Sequence, residues 1–220
     1  MPRFTVPALA AAVALTALAS LPAGAVSADS AVLTYGSAAG DAVSVGDVLT
    51  ASLASGTTAT LATAGDGTSR IACTGSTLSA TVTSNPAAPG VATESATSQT
   101  FSGCTSNIFG VTGVRSITVN ALPYGTSAAS DGTVTVTPAT GGSIQTTVVL
   151  STLLGSTTCV YQAPSLSATS SNGDSGLTFT NQVFKKVSGS LLCASNGYFT
   201  AGYAPVVDST VAGAPAVYTN

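Results

Sequence analysis

Apolar and polar residues alternate one by one along much of the chain. In the stretch LSATVT, Leu78, Ala80 and Val82 fall on one face, and hydroxyl side chains fall on the other. A period of two residues is the side-chain period of a β-strand. The same alternation, and so the same prediction of a strand, recurs in Ile117–Ala121, Gly132–Thr137, Ile144–Leu150 and Leu177–Thr180.

Short turn signals separate these alternating segments. They are Asp66-Gly67, Asn85-Pro86, Asp131-Gly132, Asn172-Gly173 and Asn196-Gly197. Such pairs favour tight turns because glycine and asparagine tolerate positive φ and proline fixes φ. Beyond residue 28, no window shows a helical period with caps. Many short strands with regular turns predict an all-β protein, an antiparallel β-sandwich or a barrel-like fold.

The N-terminal stretch MPRFTVPALAAAVALTALASLPAGAVSADS has the layout of a secretory signal peptide. Arg3 precedes an uncharged run from Val6 to Leu21, and small residues follow. The run is short for a membrane span, and cleavage is expected after Ala28, with Ala25 as the second choice. A twin arginine is absent, which favours the general secretion route. We therefore expect a secreted, extracellular protein with a signal peptide over residues 1–28 and a single β domain over residues 29–220.

Two parts of that domain, about 73–107 and 159–196, resemble each other. A Leu-Ser-Ala-Thr motif, a Gln-x-Phe motif and a Cys-x-Ser-Asn motif occur in both, in the same order and at offsets of 88, 83 and 89 residues. The shared order predicts two pseudo-repeat units that pack together. The first copies begin at Leu78, Gln99 and Cys104, and the second at Leu166, Gln182 and Cys193.

The chain contains four cysteines, an even number that predicts two disulfides in an exported protein. Spacing alone leaves three pairings open, but the repeat selects Cys73–Cys104 and Cys159–Cys193. On the chain-entropy model each bridge stabilises the fold by about 3–4 kcal/mol. Four free thiols are disfavoured, because an exported protein folds in an oxidising compartment. A zinc site is also disfavoured, because the spacings are long and the chain has no histidine.

Charge is scarce, with 6% charged residues and a net charge of −3. Nucleic-acid binding needs clustered cations that displace counterions from phosphates. We exclude that class of partner because only four cations follow the predicted cleavage site. Disorder is also disfavoured, since 45% of the residues are hydrophobic. The four cations are Arg70, Arg115, Lys185 and Lys186.

No combination of side chains predicts catalysis, a metal or a cofactor. The absence of histidine removes the usual base of a Ser or Cys triad. A catalytic base formed by Lys185 or Lys186 beside a serine is a weaker interpretation than solvated lysines. A glycosidase-like acid pair and a calcium loop are weaker interpretations than ordinary turns. Most of the carboxylates follow or precede glycine or serine, as in turns. Beyond residue 28 they are Asp29, Asp41, Asp47, Asp66, Glu94, Asp131, Asp174 and Asp208.

The densest aromatic patch is GYFTAGY, which contains Tyr198, Phe199 and Tyr203. Core packing is the default interpretation of such a patch. The alternative is a ligand surface made by these three rings, because exposed aromatic side chains are common in ligand sites. The absence of tryptophan weakens a glycan-binding interpretation.

The chain resembles a group of uncharacterised secreted actinobacterial proteins that are often labelled only as (Tat pathway) signal sequence domain proteins. The likeness rests on CTGSTLSATVTSNPAAPG, FSGCTSN, VRSITVNALPYG, IQTTVVLSTLLGSTTCVY and LCASNGYF. It implies export and brings no activity with it.

These observations predict a secreted, non-enzymatic extracellular or cell-surface protein with a structural or interaction role. The apolar segments 31–35 and 204–218 suit edge strands of the domain itself, which is the favoured interpretation; strand addition to a neighbouring molecule, in self-assembly or with a cell-envelope partner, is the alternative. The alternative is a binding module for a small molecule or glycan, in a cleft between the pseudo-repeats. An enzyme is the third hypothesis.

Overall fold

The computed structural model describes residues 1–2 and 30–220 and is built from fifteen β-strands. Strands account for 64% of the structure, and no helix occurs in the described ranges. Those ranges accordingly contain no helix that is long and apolar enough to cross a membrane. The all-β prediction is confirmed. Apart from its first two residues, the predicted signal peptide lies outside the described residues.

The strands are β1 (Leu33–Tyr35), β2 (Asp41–Ala42), β3 (Val48–Leu53), β4 (Ala59–Ala62), β5 (Arg70–Ser84), β6 (Val91–Ser106), β7 (Val111–Asn120), β8 (Tyr124–Ala129), β9 (Thr133–Thr137), β10 (Ile144–Thr152), β11 (Gly155–Ala163), β12 (Leu166–Ser171), β13 (Gly176–Ser188), β14 (Asn196–Asp208) and β15 (Val217–Thr219).

Eight strands close into an antiparallel barrel. In ring order they are β3, β5, β6, β8, β9, β12, β13 and β14. Strand β3 closes the ring, because Leu49 pairs with Ala80 of β5 on one side and with Asp208 of β14 on the other. Closure leaves the barrel without unpaired edges, which an open sheet of this length would expose.

The long strands β5, β6, β13 and β14 continue past the barrel into a second half of the molecule. There β4 takes the place of β3 between β5 and β14. Strands β11, β10 and β7 extend the sheet outward from β13. Four connections lie at the far end of this half, β4–β5, β6–β7, β10–β11 and β13–β14, and we call it the loop end.

A small sheet of order β15-β1-β2 covers the opposite end of the barrel, which we call the cap end. Its apolar side chains, Val32, Leu33 and Val217, belong to the same buried core as the barrel side chains. Strand β1 pairs with β15 through Leu33 and Thr219. The two ends of the described β domain therefore pair with each other within one chain.

The period-two pattern places the apolar face of β5 inside the barrel. Ala80 is 7% exposed and Val82 is 1% exposed, and Leu78 packs against the same core. Burial of apolar area stabilises a fold by roughly 25 cal/mol per Å². This gain explains why the alternation sets the orientation of each strand.

Each pseudo-repeat contains a long hairpin. In the first unit β5 and β6 pair directly, and in the second β12 pairs with β13 while β11 carries the first cysteine. The two disulfides join Cys73 to Cys104 and Cys159 to Cys193, as the repeat predicts. Cys73 and Cys104 lie opposite each other in one ladder, whereas Cys193 lies in the β13–β14 loop.

The Gln-x-Phe motifs of the two units meet at one aromatic ring. Phe101 and Phe184 each pack edge-on against Phe199 of β14, with ring centroids 6.3 and 6.5 Å apart. In both units the strand register shifts just before the repeated glutamine. The shift lies between Ser79 and Ala80 of the partner strand β5 in the first unit, and between Phe179 and Gln182 of β13 itself in the second. The repeated motifs thus mark a common bulge and a shared aromatic contact.

Candidate functional site

A cavity of about 160 Å³ lies in the core, lined by strands of the barrel and also by β4, β7 and β10. Both pseudo-repeats contribute to its wall, which is mainly apolar. An eight-stranded barrel is just wide enough to be filled by side chains or to hold one small ligand. Representative wall residues are Leu78 and Phe101 from the first unit, Leu166 and Phe179 from the second, and Val134 and Val136 from β9.

One carboxylate lines this apolar wall, that of Glu94 on β6. Ala92 and Ala96 precede and follow Glu94 on the same face of the strand, and Ala92 is 0% exposed. The ladder places Glu94 between Val82 of β5 and Thr126 of β8. The backbone alternation therefore directs the carboxyl group into the barrel.

The Glu94 carboxyl group has no hydrogen-bond or ion-pair partner within residues 30–220. Removal from water disfavours its charged form, and this burial raises its pKa from the ordinary value of 4.5 to about 7. At neutral pH the group is therefore divided between a neutral donor and a charged acceptor. A polar group held in an apolar cavity without a partner has unused capacity for a hydrogen bond.

A chain of hydrogen bonds rigidifies the wall beside the cavity. Ser76 Oγ donates to the Thr100 carbonyl oxygen at 2.7 Å, so it accepts from the Tyr203 hydroxyl at 2.9 Å. Tyr203 Oη accepts in turn from Gln99 Nε2 at 3.0 Å. The hydroxyl of Tyr203 thus donates once and accepts once, although the residue is only 1% exposed. Burial raises the pKa of Tyr203, which keeps it neutral.

The cavity reaches the protein surface at the cap end, where exposed Ser171 and Asn172 contribute to its wall. Asn172 forms a reciprocal pair with Thr219 of β15. Its Nδ2 donates to the Thr219 carbonyl oxygen at 2.7 Å, and the Thr219 amide donates to Asn172 Oδ1 at 2.9 Å. This pair fastens the C-terminal strand over the rim of the barrel.

The three aromatic residues predicted as a ligand surface do not form one exposed surface. Alternation along β14 places Phe199 and Tyr203 in the core, at 8% and 1% exposure, while Tyr198 lies on the other face. Phe199 does line the cavity. Core packing, the default interpretation, therefore fits Phe199 and Tyr203, and the alternative of one exposed surface made by all three rings does not, since neighbouring residues of a strand point to opposite sides.

The structure brings two of the predicted turn carboxylates together, Asp47 and Asp208. Asp208 is 0% exposed, and burial together with the neighbouring Asp47 carboxyl group raises its pKa. Its Oδ1 accepts from the Thr210 amide at 2.9 Å, while its Oδ2 has no partner among the described residues. No group of three histidine, cysteine or acidic side chains suited to a metal occurs in the described part of the chain.

The sequence analysis did not single out Glu94, because it considered the carboxylates together and most of them lie in turn-like contexts. The signal was present in the segment VATESATS. Ala92 and Ala96 alternate with hydroxyl residues there, so the residue between them lies on the alanine face. The only glutamate that follows the predicted signal peptide therefore stands at an inward position of a strand.

The chain matches no family model, no curated protein and no solved structure. A function is therefore inferred from the geometry of the cavity.

Proposed function

We propose that this protein is an exported, non-enzymatic binding protein that holds a small, largely apolar ligand inside its barrel. The observation that carries the proposal is the unpartnered carboxyl group of Glu94, aimed into an apolar cavity. Ligand sites combine apolar walls with a few polar groups that fix orientation. The barrel interior has both components.

The size of the cavity restricts the ligand. A cavity of about 150 Å³ with an apolar lining accepts one benzene ring in a well-studied engineered case. The volume here is about 160 Å³. We infer a ligand with an apolar body about as large as a single ring, rather than a sugar chain or a large lipid.

Glu94 restricts the chemistry of that ligand. A charged carboxylate in an apolar cavity gains most from a positively charged donor, because a charge-assisted hydrogen bond is roughly twice as strong as a neutral one. The ligand class that fits is therefore a small amine with an aromatic or aliphatic body. A neutral alcohol also satisfies the carboxyl group, but with lower affinity.

Export rests on the N-terminal sequence pattern and is supported by the two disulfides, which suit an oxidising compartment. The cavity lies between hairpins of the two pseudo-repeats, so a binding module built from both units agrees with the alternative expected from the sequence. We place this binding role ahead of a purely structural one because of Glu94.

Calorimetric titration of the exported protein with three probes of similar size tests the proposal. The probes are benzylamine, benzyl alcohol and toluene, which present a cation, a neutral donor and no donor. We expect benzylamine to bind best at a pH above 7. The Glu94→Gln variant should weaken benzylamine roughly ten- to a hundredfold, the range expected for one hydrogen bond to a charged group.

Toluene binding serves as the internal control, because it depends on the cavity and not on the carboxyl group. Glu94→Gln should leave toluene affinity nearly unchanged. If benzylamine bound the wild type and Glu94→Gln equally, or if no probe bound at all, the proposed site would be wrong.

A further inference from the structure

Three connections at the loop end converge and expose large apolar side chains. Phe109 in the β6–β7 turn is 95% exposed, and Leu153 and Leu154 in the β10–β11 turn are 88% and 100% exposed. Leu191 and Leu192 in the β13–β14 loop are 101% and 41% exposed. We call these five residues the apolar tip.

The ladders and contacts show that the three connections are neighbours. Thr152 pairs with Val111, which sets the β10–β11 turn beside the β6–β7 turn. A Cβ atom built on Gly110 would lie 3.3 Å from Leu192 Cδ2, so the β13–β14 loop reaches the same place. The Cys159–Cys193 disulfide fixes that loop to β11.

The stability of the fold does not explain why the apolar tip carries large apolar side chains. Leu153 and Leu154 occupy the two central positions of a hairpin turn, since Thr152 pairs with Gly155. Asparagine, aspartate and glycine are the residues that such turns favour. Exposed leucines there bury no apolar area within the chain. A function outside the chain is the simplest reason for their presence.

Each of the three connections has a cation beside it. Arg70 adjoins the β6–β7 turn through its backbone, because its amide donates to Asn107 Oδ1 at 2.7 Å, while its guanidinium donates to the Gly67 carbonyl oxygen at 2.6 Å. Arg115 Nε donates to Ser151 Oγ at 3.0 Å, two residues before Leu153. Lys186 Nζ donates to the Cys193 carbonyl oxygen at 2.9 Å, next to Leu192.

The charges of the described residues are divided between the two halves of the molecule. All four cations, including Lys185, lie in the half that ends in the apolar tip, with a single carboxylate, Asp66, which binds the Thr68 amide within its own turn. Six carboxylates lie in the cap half: Asp41, Asp47, Glu94, Asp131, Asp174 and Asp208.

We propose that the loop end docks onto an anionic phospholipid bilayer, with the apolar tip inserted among the lipids and the flanking cations at the phosphate groups. The apolar side chains lie on three separate turns with cations close by, and this combination suits an anionic bilayer interface. A fluid bilayer interface accepts them without matching shape, and its affinity rises with buried apolar area and with anionic lipid. This inference goes beyond ligand binding and does not depend on it.

Tryptophan fluorescence tests the insertion directly, because the chain contains no natural tryptophan. In Leu154→Trp the new side chain lies in the apolar tip. In the matched control Val45→Trp it replaces a residue that is 65% exposed at the cap end. With vesicles that contain phosphatidylglycerol, we expect a blue shift of the Leu154→Trp emission and no shift for Val45→Trp.

Vesicle sedimentation measures the affinity of the wild-type chain. Binding should be stronger to vesicles containing phosphatidylglycerol than to pure phosphatidylcholine, and should weaken as salt rises. The double substitution Leu153→Ser and Leu154→Ser should reduce binding at least about tenfold, as expected when two large apolar side chains no longer enter the lipid. Val45→Ser should bind like the wild type.

Three results would overturn the proposal. The first is no binding to either kind of vesicle. The second is equal blue shifts for Leu154→Trp and Val45→Trp. The third is a blue shift of Leu154→Trp that grows with protein concentration in the absence of vesicles, which would identify a second copy of the chain as the occupant of the apolar tip.

Discussion

The carboxyl group of Glu94 faces Val82 across the β5–β6 ladder, and that valine is only 1% exposed. An aliphatic neighbour offers a carboxylate neither a counter-charge nor a hydrogen bond, and burial raises the pKa of Glu94 to about 7. The folded protein therefore holds the Glu94 proton more tightly than the unfolded chain does. This relationship makes the stability of the barrel depend on pH.

We predict that the free energy of unfolding falls as pH rises from 4.5 to about 7, the interval between the ordinary and the raised pKa of Glu94. Each tenfold change in proton affinity corresponds to ~1.4 kcal/mol, so the whole loss amounts to about 3 kcal/mol. Above pH 7 the contribution stays constant. Urea unfolding at pH 5 and pH 8 measures the difference.

Glu94→Gln should lack this loss and should be more stable than the wild type at pH 8. The control is Asp131→Asn, because Asp131 is exposed and its pKa is lowered by hydrogen bonds from Thr133. That variant should keep the wild-type loss between pH 5 and pH 8. A Glu94→Gln variant with the full loss would show that the carboxyl group is hydrated in the folded protein.

Removal of the Tyr203 hydroxyl should destabilise the protein. In Tyr203→Phe, Ser76 and Gln99 each lose a buried partner, at a cost of about 1–3 kcal/mol. Tyr161 is the matched control, since it is also buried and its hydroxyl forms no hydrogen bond with the described residues. Tyr161→Phe should change stability little. Equal effects of the two substitutions in thermal unfolding would contradict the role of the network.

Asn172→Ala should loosen the strand that covers the cap end. The substitution removes both hydrogen bonds to Thr219, and because the pair is exposed the loss of stability should be only about 1 kcal/mol. Hydrogen exchange should show faster exchange at the amides of Thr219 and Tyr35, and no change at Val160 in the other half. Uniform acceleration at all three amides would indicate global rather than local loosening.

The two disulfides should contribute similarly to stability. They close loops with sequence separations of 31 and 34 residues, and loop length enters the entropy only through its logarithm. Replacement of either pair by alanine should lower the free energy of unfolding by about 3–4 kcal/mol. Urea unfolding of the two double variants gives the comparison. A loss confined to one pair would show that loop closure is not the main contribution.

The sequence pattern predicts the local structure of this protein well and its long-range pairing poorly. Alternation in the segment from Leu78 to Thr83 identifies an inward face, because side-chain period depends only on neighbouring residues. The repeat identifies the cysteine pairs. Closure of the barrel depends instead on β3 pairing with both β5 and β14, and no local pattern specifies which strands become neighbours.

The candidate site likewise combines features that follow from the local sequence pattern with features that depend on long-range pairing. The inward position of Glu94 follows from Ala92 and Ala96, which are visible in the sequence. The pair of Asn172 and Thr219 joins residues that are 47 positions apart and depends on how β15 crosses the rim. The aromatic run from Tyr198 to Tyr203 divides between the two faces of β14, with Phe199 and Tyr203 in the core as the default interpretation predicts.

The cations and most of the carboxylates lie in opposite halves of the molecule, and this separation orients the protein before it touches a charged surface. A molecule that carries opposite charge at its two ends experiences a torque near a charged surface, within about one Debye length, roughly 10 Å at an ionic strength of about 0.1 M. An anionic surface would rotate the loop end toward itself and the cap end away. The mouth of the barrel, beside Asn172 and Thr219, would then open into free solution.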